Sequence, residues 1–225
     1  IFVLFAVFAY LGFQAASNIK ANSSGGTLPA NAPTALASAQ QNILLIHVDD
    51  LTSAKPNLIS AWGAFIYYTD PNQVMFLPLL PSYNAAIQSA IESEFSLDKN
   101  RQVSSRFISL LRQKFDIKVT GVVVTDNQGL TYFNNQFAGQ STSIAVSAPE
   151  NDDQKHRILL NGQSFFQTIC TSVQNHSDDA YISIQWSQVI PDHFITTIPF
   201  ETIMVDFQKV FQNPGSNQCY VLSNE

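Results

Sequence analysis

The run NILLIHV, Asn42–Val48, constrains this chain more than any other segment. It has the length of a strand and is apolar almost throughout, and it stops abruptly at Asp49-Asp50. Successive side chains of a strand point to opposite faces, so a strand apolar at every position needs cover on both. Such a strand belongs in the middle of a sheet with helices on either side.

The segments that follow fit that requirement. AFIYYT (Ala64–Thr69), the turn Asp70-Pro71-Asn72-Gln73 and VMFLPLL (Val74–Leu80) read as a hairpin, with Pro78 marking an edge or a bulge in the return strand. YNAAIQSAIESEF places Ile87, Ile91 and Phe95 four residues apart, and RQVSSRFISLLRQKF puts Val103, Phe107, Leu110, Leu111 and Phe115 on one helical stripe. IKVTGVVVT (Ile117–Thr125) is a strand closed by the turn Asp126-Asn127-Gln128-Gly129. LTYFNNQF (Leu130–Phe137) reads as another half-buried stretch, and IAVSA (Ile144–Ala148) as a short further strand. A charged loop from Glu150 to Arg157 leads into the helix-like QSFFQTICTSV; AYISIQW (Ala180–Trp186) alternates like a strand, and FETIMVDFQKVF (Phe200–Phe211) has helical spacing. Strands interleaved with helices predict an α/β fold, a three-layer α/β/α sandwich around a central mixed sheet.

Only 12% of the 225 residues are charged, about half the usual share, and the missing polarity returns as 17 Asn and 19 Gln. With 45% hydrophobic and 12% aromatic residues the chain is no disordered segment, and a net charge of -6 argues against a nucleic-acid partner. Charge is also unevenly placed: Lys20 is the only Lys, Arg, Asp or Glu before Asp49. The opening IFVLFAVFAYLGFQAAS is apolar from Ile1 to Phe13 apart from Gly12. Sixteen helical residues reach about 24 Å, short of a ~30 Å hydrocarbon core, and the first residue is Ile. The run therefore reads as the back part of a truncated transmembrane signal anchor, residues 1–16, that places the rest of the chain outside the cell membrane. A cleaved signal peptide and a buried core helix are the rival readings. Residues 17–41, small and polar with two Pro and adjacent Gly, read as a flexible stalk, leaving 42–225 as the globular domain. Cys170 and Cys219 suit an exported chain, either joined in a disulfide or as two free thiols, and the four His form no local metal motif.

Read in series, NILLIHVDD, a hairpin, YNAA opening a helix, IKVTGVVVTDNQGL, FAG and LNGQSFF resemble the LytR–CpsA–Psr family of envelope proteins over about Asn42–Ser172. The resemblance implies a domain that transfers a glycan phosphate from a polyprenyl pyrophosphate carrier to peptidoglycan. It also implies arginines that clamp the pyrophosphate, carboxylates that hold Mg²⁺, and an apolar pocket for the lipid. Asp49 stands at the family's first aspartate. The family's arginine two places later is Leu51 here, and its glycine two places earlier is His47. The aspartate of the second strand falls near Asn57 or Trp62. The arginine and aspartate of the family's SIPRDT segment fall on Pro81 and Ser82, and the two arginines of the last motif on Cys170 and Ser172. Each lost charge-assisted bond costs roughly 1.5–3 kcal/mol, and two or three such losses cost about a thousandfold in binding or rate.

Asp49 and Asp50, ending the buried strand, are the candidate catalytic pair, with Asp49 as the candidate Mg²⁺ ligand. Arg101, Arg106, Arg112, His156 and Arg157 are the basic groups that would bind ligand if the arginines have moved to other elements. The expectation is a degenerate, membrane-anchored module that binds polyprenyl-linked glycan or cell-wall polymer in an apolar pocket beside the end of the first strand. An active phosphotransferase and an unrelated exported α/β binding module are the alternatives.

Overall fold

The computed structural model describes residues 40–138, 143–175, 184–211 and 217–223. The segments expected to be an anchor and, apart from its last two residues, a stalk lie outside them. Among the described residues, no helix is long and apolar enough to cross a membrane.

The described residues form a mixed six-stranded sheet in the order β5-β4-β1-β2-β3-β6. NILLIHV lies at its heart in β1 (Gln40–Val48), antiparallel to β2 (Leu58–Tyr67) and parallel to β4 (Gly121–Thr125). The hairpin closes with β3 (Gln73–Leu80), whose register against β2 slips where Trp62 meets Pro78 and Ala61 meets Leu80. That slip is the expected bulge at Pro78. Two short strands that show no sequence pattern complete the edges, β5 (Phe194–Thr196) on β4 and β6 (Gln218–Val221) on β3. With only three and four residues, they owe their conformation to the partner strand's hydrogen bonds.

Helices lie on both faces. α1 (Ala85–Glu94), capped by the Asn84 side chain on the amides of Ala86 and Ile87, and α2 (Ser105–Phe115) send Ile91, Phe107 and Leu111 against Leu44, Ile46 and Val48 of β1. The other face carries α3 (Asn127–Ala138), α4 (Asp152–Asn175) and α5 (Phe200–Phe211). The helix over Phe200–Phe211 coincides with the spacing in the sequence. Gly162 lets α4 pass directly over β2, because a Cβ there would stand 2.5 Å from the Trp62 ring.

Three sequence expectations are corrected. The turn Asp126–Gly129 and the half-buried LTYFNNQF form the helix α3, because Asp126 Oδ1 accepts from the amides of Gln128 and Gly129 and so starts a helix where an open turn was expected. IAVSA is an extended segment outside the sheet. Its backbone pairs with α3 side chains, Ile144 N donating to Thr131 Oγ1 and Val146 N to Asn127 Oδ1. The charged loop up to Arg157 is helical from Asp152, with Asn151 Oδ1 capping the Gln154 amide. Of AYISIQW, residues 180–183 lie outside the described residues, and Trp186 opens a short 3₁₀ turn.

Candidate functional site

Alternation along β1 divides its side chains between two different environments. Leu44, Ile46 and Val48 enter the packed core under α1 and α2. Ile43, Leu45 and His47 face the other way, onto a cavity of about 610 Å³ roofed by α3, α4 and α5. This volume lies within the range of small-molecule sites. Leu45, Trp62, Phe76, Phe133 and Phe166 make most of its wall hydrocarbon and aromatic. Among the described residues no Lys or Arg lines it.

Polar groups stand at both ends of β1 and on the covering helices, where Asn134 of α3 and Asn161 and Ser164 of α4 join the lining. At the carboxyl end stand His47 and Ser60, opposed across β1 and β2. His47 Nε2 lies 3.0 Å from Asn127 Oδ1, and burial lowers the His47 pKa to about 4, outweighing the raising effects of Asn127, Asp126 and Asp49. At the other end Asp206 of α5 is buried and accepts from Gln41 Nε2 at 2.5 Å. The Tyr68 hydroxyl lies close to that carboxylate without making a hydrogen bond; burial first, and then Asp206, raise its pKa, while Lys209 sits 4.8 Å over its ring.

Just beyond the carboxyl ends of the parallel strands β1 and β4, where open α/β sheets place ligands, the structure builds a clasp. Asp126, 1% exposed, accepts from Leu51 N and from His193 Nδ1 at 2.8 Å through Oδ2, while Oδ1 caps α3. Gly129 makes the approach possible, because a Cβ there would stand 2.3 Å from the His193 carbonyl oxygen. Asp126 and His193 are the residues that sequence reading missed. Asp126 was visible only as a turn residue, and His193 is 67 residues from it.

The sequence-predicted groups are scattered around this centre. Asp49 Oδ1 accepts from the amides of Asn57 and Asp50, and its Oδ2 from Asn57 Nδ2 at 2.6 Å, so its carboxylate closes the β1–β2 loop. Asp50 accepts from the hydroxyl and amide of Thr52, the interactions that lower its pKa, and is solvent-exposed. Arg101 reaches the same loop but donates to carbonyls, those of Leu51 at 2.8 Å, Pro191 at 3.0 Å and Asp192 at 3.2 Å. Arg112 donates to Val119 O beneath α2 and Arg106 is exposed on that helix. His156 Nδ1 lies 3.1 Å from the Tyr83 hydroxyl, and Arg157 is exposed beside it on α4. Thus Arg101 alone of the four arginines comes near Asp49, and none of the four enters the cavity.

The positions that correspond to family arginines are taken up by packing. Leu51 and Pro81 are buried; Ser172 is buried and donates to Phe137 O at 3.5 Å; and Cys170 is bonded to Cys219, joining α4 to β6. The residues present do not fit the Mg²⁺ site that the resemblance implies. Both Asp49 oxygens and both Asp126 oxygens are engaged by N–H donors, and among the described residues no three acidic, His or Cys side chains converge.

No protein-family model matches the chain, and no curated protein matches it in sequence. Solved structures do match in fold. TagT bound to LIIa-WTA is similar at a TM-score of 0.55 and 9% identity, over 91% of this chain and 87% of that one. B. subtilis TagV is similar at a TM-score of 0.49 and 8% identity, over 83% of this chain and 85% of that one. Both are LytR–CpsA–Psr proteins, and the likeness to TagT gives this chain the fold that its serial motifs predicted.

Proposed function

We propose that this chain is a divergent, exported LytR–CpsA–Psr protein that holds the lipid portion of a lipid-linked envelope glycan and does not transfer it. The observation that carries this reading is the cavity of about 610 Å³, walled mostly by hydrocarbon and aromatic groups and without a Lys or Arg among its described lining residues. A long hydrocarbon chain gains free energy there from the area it removes from water, about 25 cal/mol per Å². Catalysis of phosphoryl transfer rests on positioning and charge stabilisation, and the groups that would supply them are turned to other uses. Asp49 and Asp50 hold a turn, Arg101 holds carbonyls, and Cys170 holds β6. TagT in complex with LIIa-WTA supports a polyprenyl-linked glycan as the class of partner. The apolar run at Ile1–Phe13 would tether the module to the membrane where such lipids reside.

The reading is tested with the full chain and its Leu45→Trp variant, which fills the cavity from β1. A fluorescent isoprenoid is expected to bind the parent and to lose at least tenfold in affinity in the variant. On a polyprenyl pyrophosphate glycan with peptidoglycan acceptor, no turnover is expected with or without Mg²⁺. Mg²⁺-dependent transfer, or isoprenoid binding indifferent to Leu45→Trp, would overturn it.

A further inference from the structure

One part of the cavity wall is built unlike the rest. The floor is sheet, and each roof helix sends buried apolar side chains into a packed cluster, Phe133 from α3, Leu159 and Phe166 from α4, Ile203 and Val210 from α5. Between α3 and α4 in the chain, residues 144–148 run extended, in neither helix nor sheet. Their side chains alternate as in a strand, with Ile144, Val146 and Ala148 half-buried and Ala145 and Ser147 exposed. Ile144 and Val146 line the cavity, yet they belong to none of the packed clusters.

Two side chains of α3, one turn apart, hold this strap. Thr131 Oγ1 accepts from Ile144 N at 2.8 Å. Asn127 Oδ1 accepts from Val146 N at 3.2 Å, and its Nδ2 donates to Val146 O at 2.9 Å. Asn127 Oδ1 also lies 3.0 Å from His47 Nε2, so one amide ties the strap to the cavity floor at the carboxyl end of β1. Letting go of α3 would exchange these few bonds for bonds to water and would break no buried cluster. The helices cannot lift so cheaply: α4 is joined to β6 by the Cys170–Cys219 disulfide, and α3 is fixed at its start by the Asp126 carboxylate.

We propose that residues 144–148 are the gate of the cavity, swinging off Asn127 and Thr131 to admit a lipid chain to the floor and closing over it so that Ile144 and Val146 rest on its hydrocarbon. The inference rests on the proposed lipid-holding role and specifies the route by which the lipid enters and leaves. Neither Asn127 nor Thr131 is among the described lining residues, so the bonds they make to the strap serve the empty and the loaded protein alike. They set the rate of exchange and not the affinity.

The test follows a fluorescent geranylgeranyl phosphate by stopped flow on the full chain and on its Asn127→Ala and Thr131→Val variants. Each substitution is expected to raise the association and dissociation rate constants together, at least fivefold, as loss of about one hydrogen bond requires, and to leave Kd within about twofold. Amide hydrogen exchange at Ile144 and Val146 should quicken in both variants and slow when the probe is bound. Unchanged exchange at Leu44 and Ile46 separates release of the strap from loss of the fold. Rate constants that move in neither variant, or a weakened Kd with association unchanged, overturn the gate while the lipid-holding role stands. Failure of the parent to bind the probe overturns the gate together with the role beneath it. Should Asn127→Ala fail to fold, Thr131→Val and the protection of Ile144 and Val146 in the loaded parent decide the matter.

Discussion

The two faces of the sheet share strands and differ in what they do. Under α1 and α2, Leu44, Ile46, Val48, Ile91, Phe107 and Leu111 are at most 1% exposed and pack in one cluster. Under α3, α4 and α5, residues one step along the same β1 border a cavity of about 610 Å³. Both faces are lined by hydrophobic residues, so hydrophobicity does not distinguish a core from a binding site. Whether the covering helices reach the floor does. α1 and α2 pack their stripes straight onto β1, whereas α4 meets the sheet through large aromatic rings, Phe166 stacking on Phe76 at 4.4 Å and lying tilted against Trp62 at 4.8 Å.

Adjacent leucines break or sharpen this contrast most directly. Leu44→Ala removes atoms from a packed site and should cost about 3–5 kcal/mol, while Leu45→Ala, which enlarges a space already present, should cost about 1–2 kcal/mol. Chemical denaturation of the two variants measures both, and equal costs would show that the cavity collapses around Leu45. The hollow face also carries a covalent staple that the packed face lacks. Cys170 and Cys219 are 49 residues apart, and in the chain-entropy account a loop of that size contributes about 4 kcal/mol. The Cys170→Ala/Cys219→Ala double variant should lose most of this in denaturation, with the Leu44 region the last to exchange its amide hydrogens.

A smaller effect reports on His47. Its folded pKa, about 4, lies below its ordinary 6.5, so between those values the unfolded chain binds a proton that the fold refuses. Its contribution to stability is therefore complete above about pH 6.5 and fades as pH falls toward 4, by up to about 3 kcal/mol. Parent and His47→Phe, compared at pH 7 and pH 4, should differ in pH dependence by that amount. Parallel curves would mean that the His47 ring takes up its proton in the fold.

Much of the fold was legible in the sequence because strong periodicity survives packing. β1, the β2–β3 hairpin, α1, α2 and α5 follow patterns that any burial would require. The misses have definite causes. α3 was obscured by Asp126-Asn127-Gln128-Gly129, whose residues suit a turn as well as a helix start, and the choice was made by where the Asp126 carboxylate points. IAVSA alternates like a strand, yet its amides found Asn127 and Thr131 side chains first. Of the candidate site, His47 was visible as a residue of the buried strand, and Asp49 and Asp50 as its end. Their separation into a cavity wall and a closed turn was not.

By itself, then, the sequence determined a covered mixed α/β sheet, an exported-looking N-terminal run, and a deficit of the charges that phosphoryl transfer needs. These are properties of local pattern and composition, which no folding can alter. The tertiary structure alone decided that one side of β1 is solid and the other hollow. It alone paired Asp126 with His193 across 67 residues, joined Cys170 to Cys219, and set His47 opposite Ser60 on the cavity wall. Those outcomes depend on distances between elements remote in the chain, and on how far a helix stands from the strand it covers, which neighbouring residues do not encode.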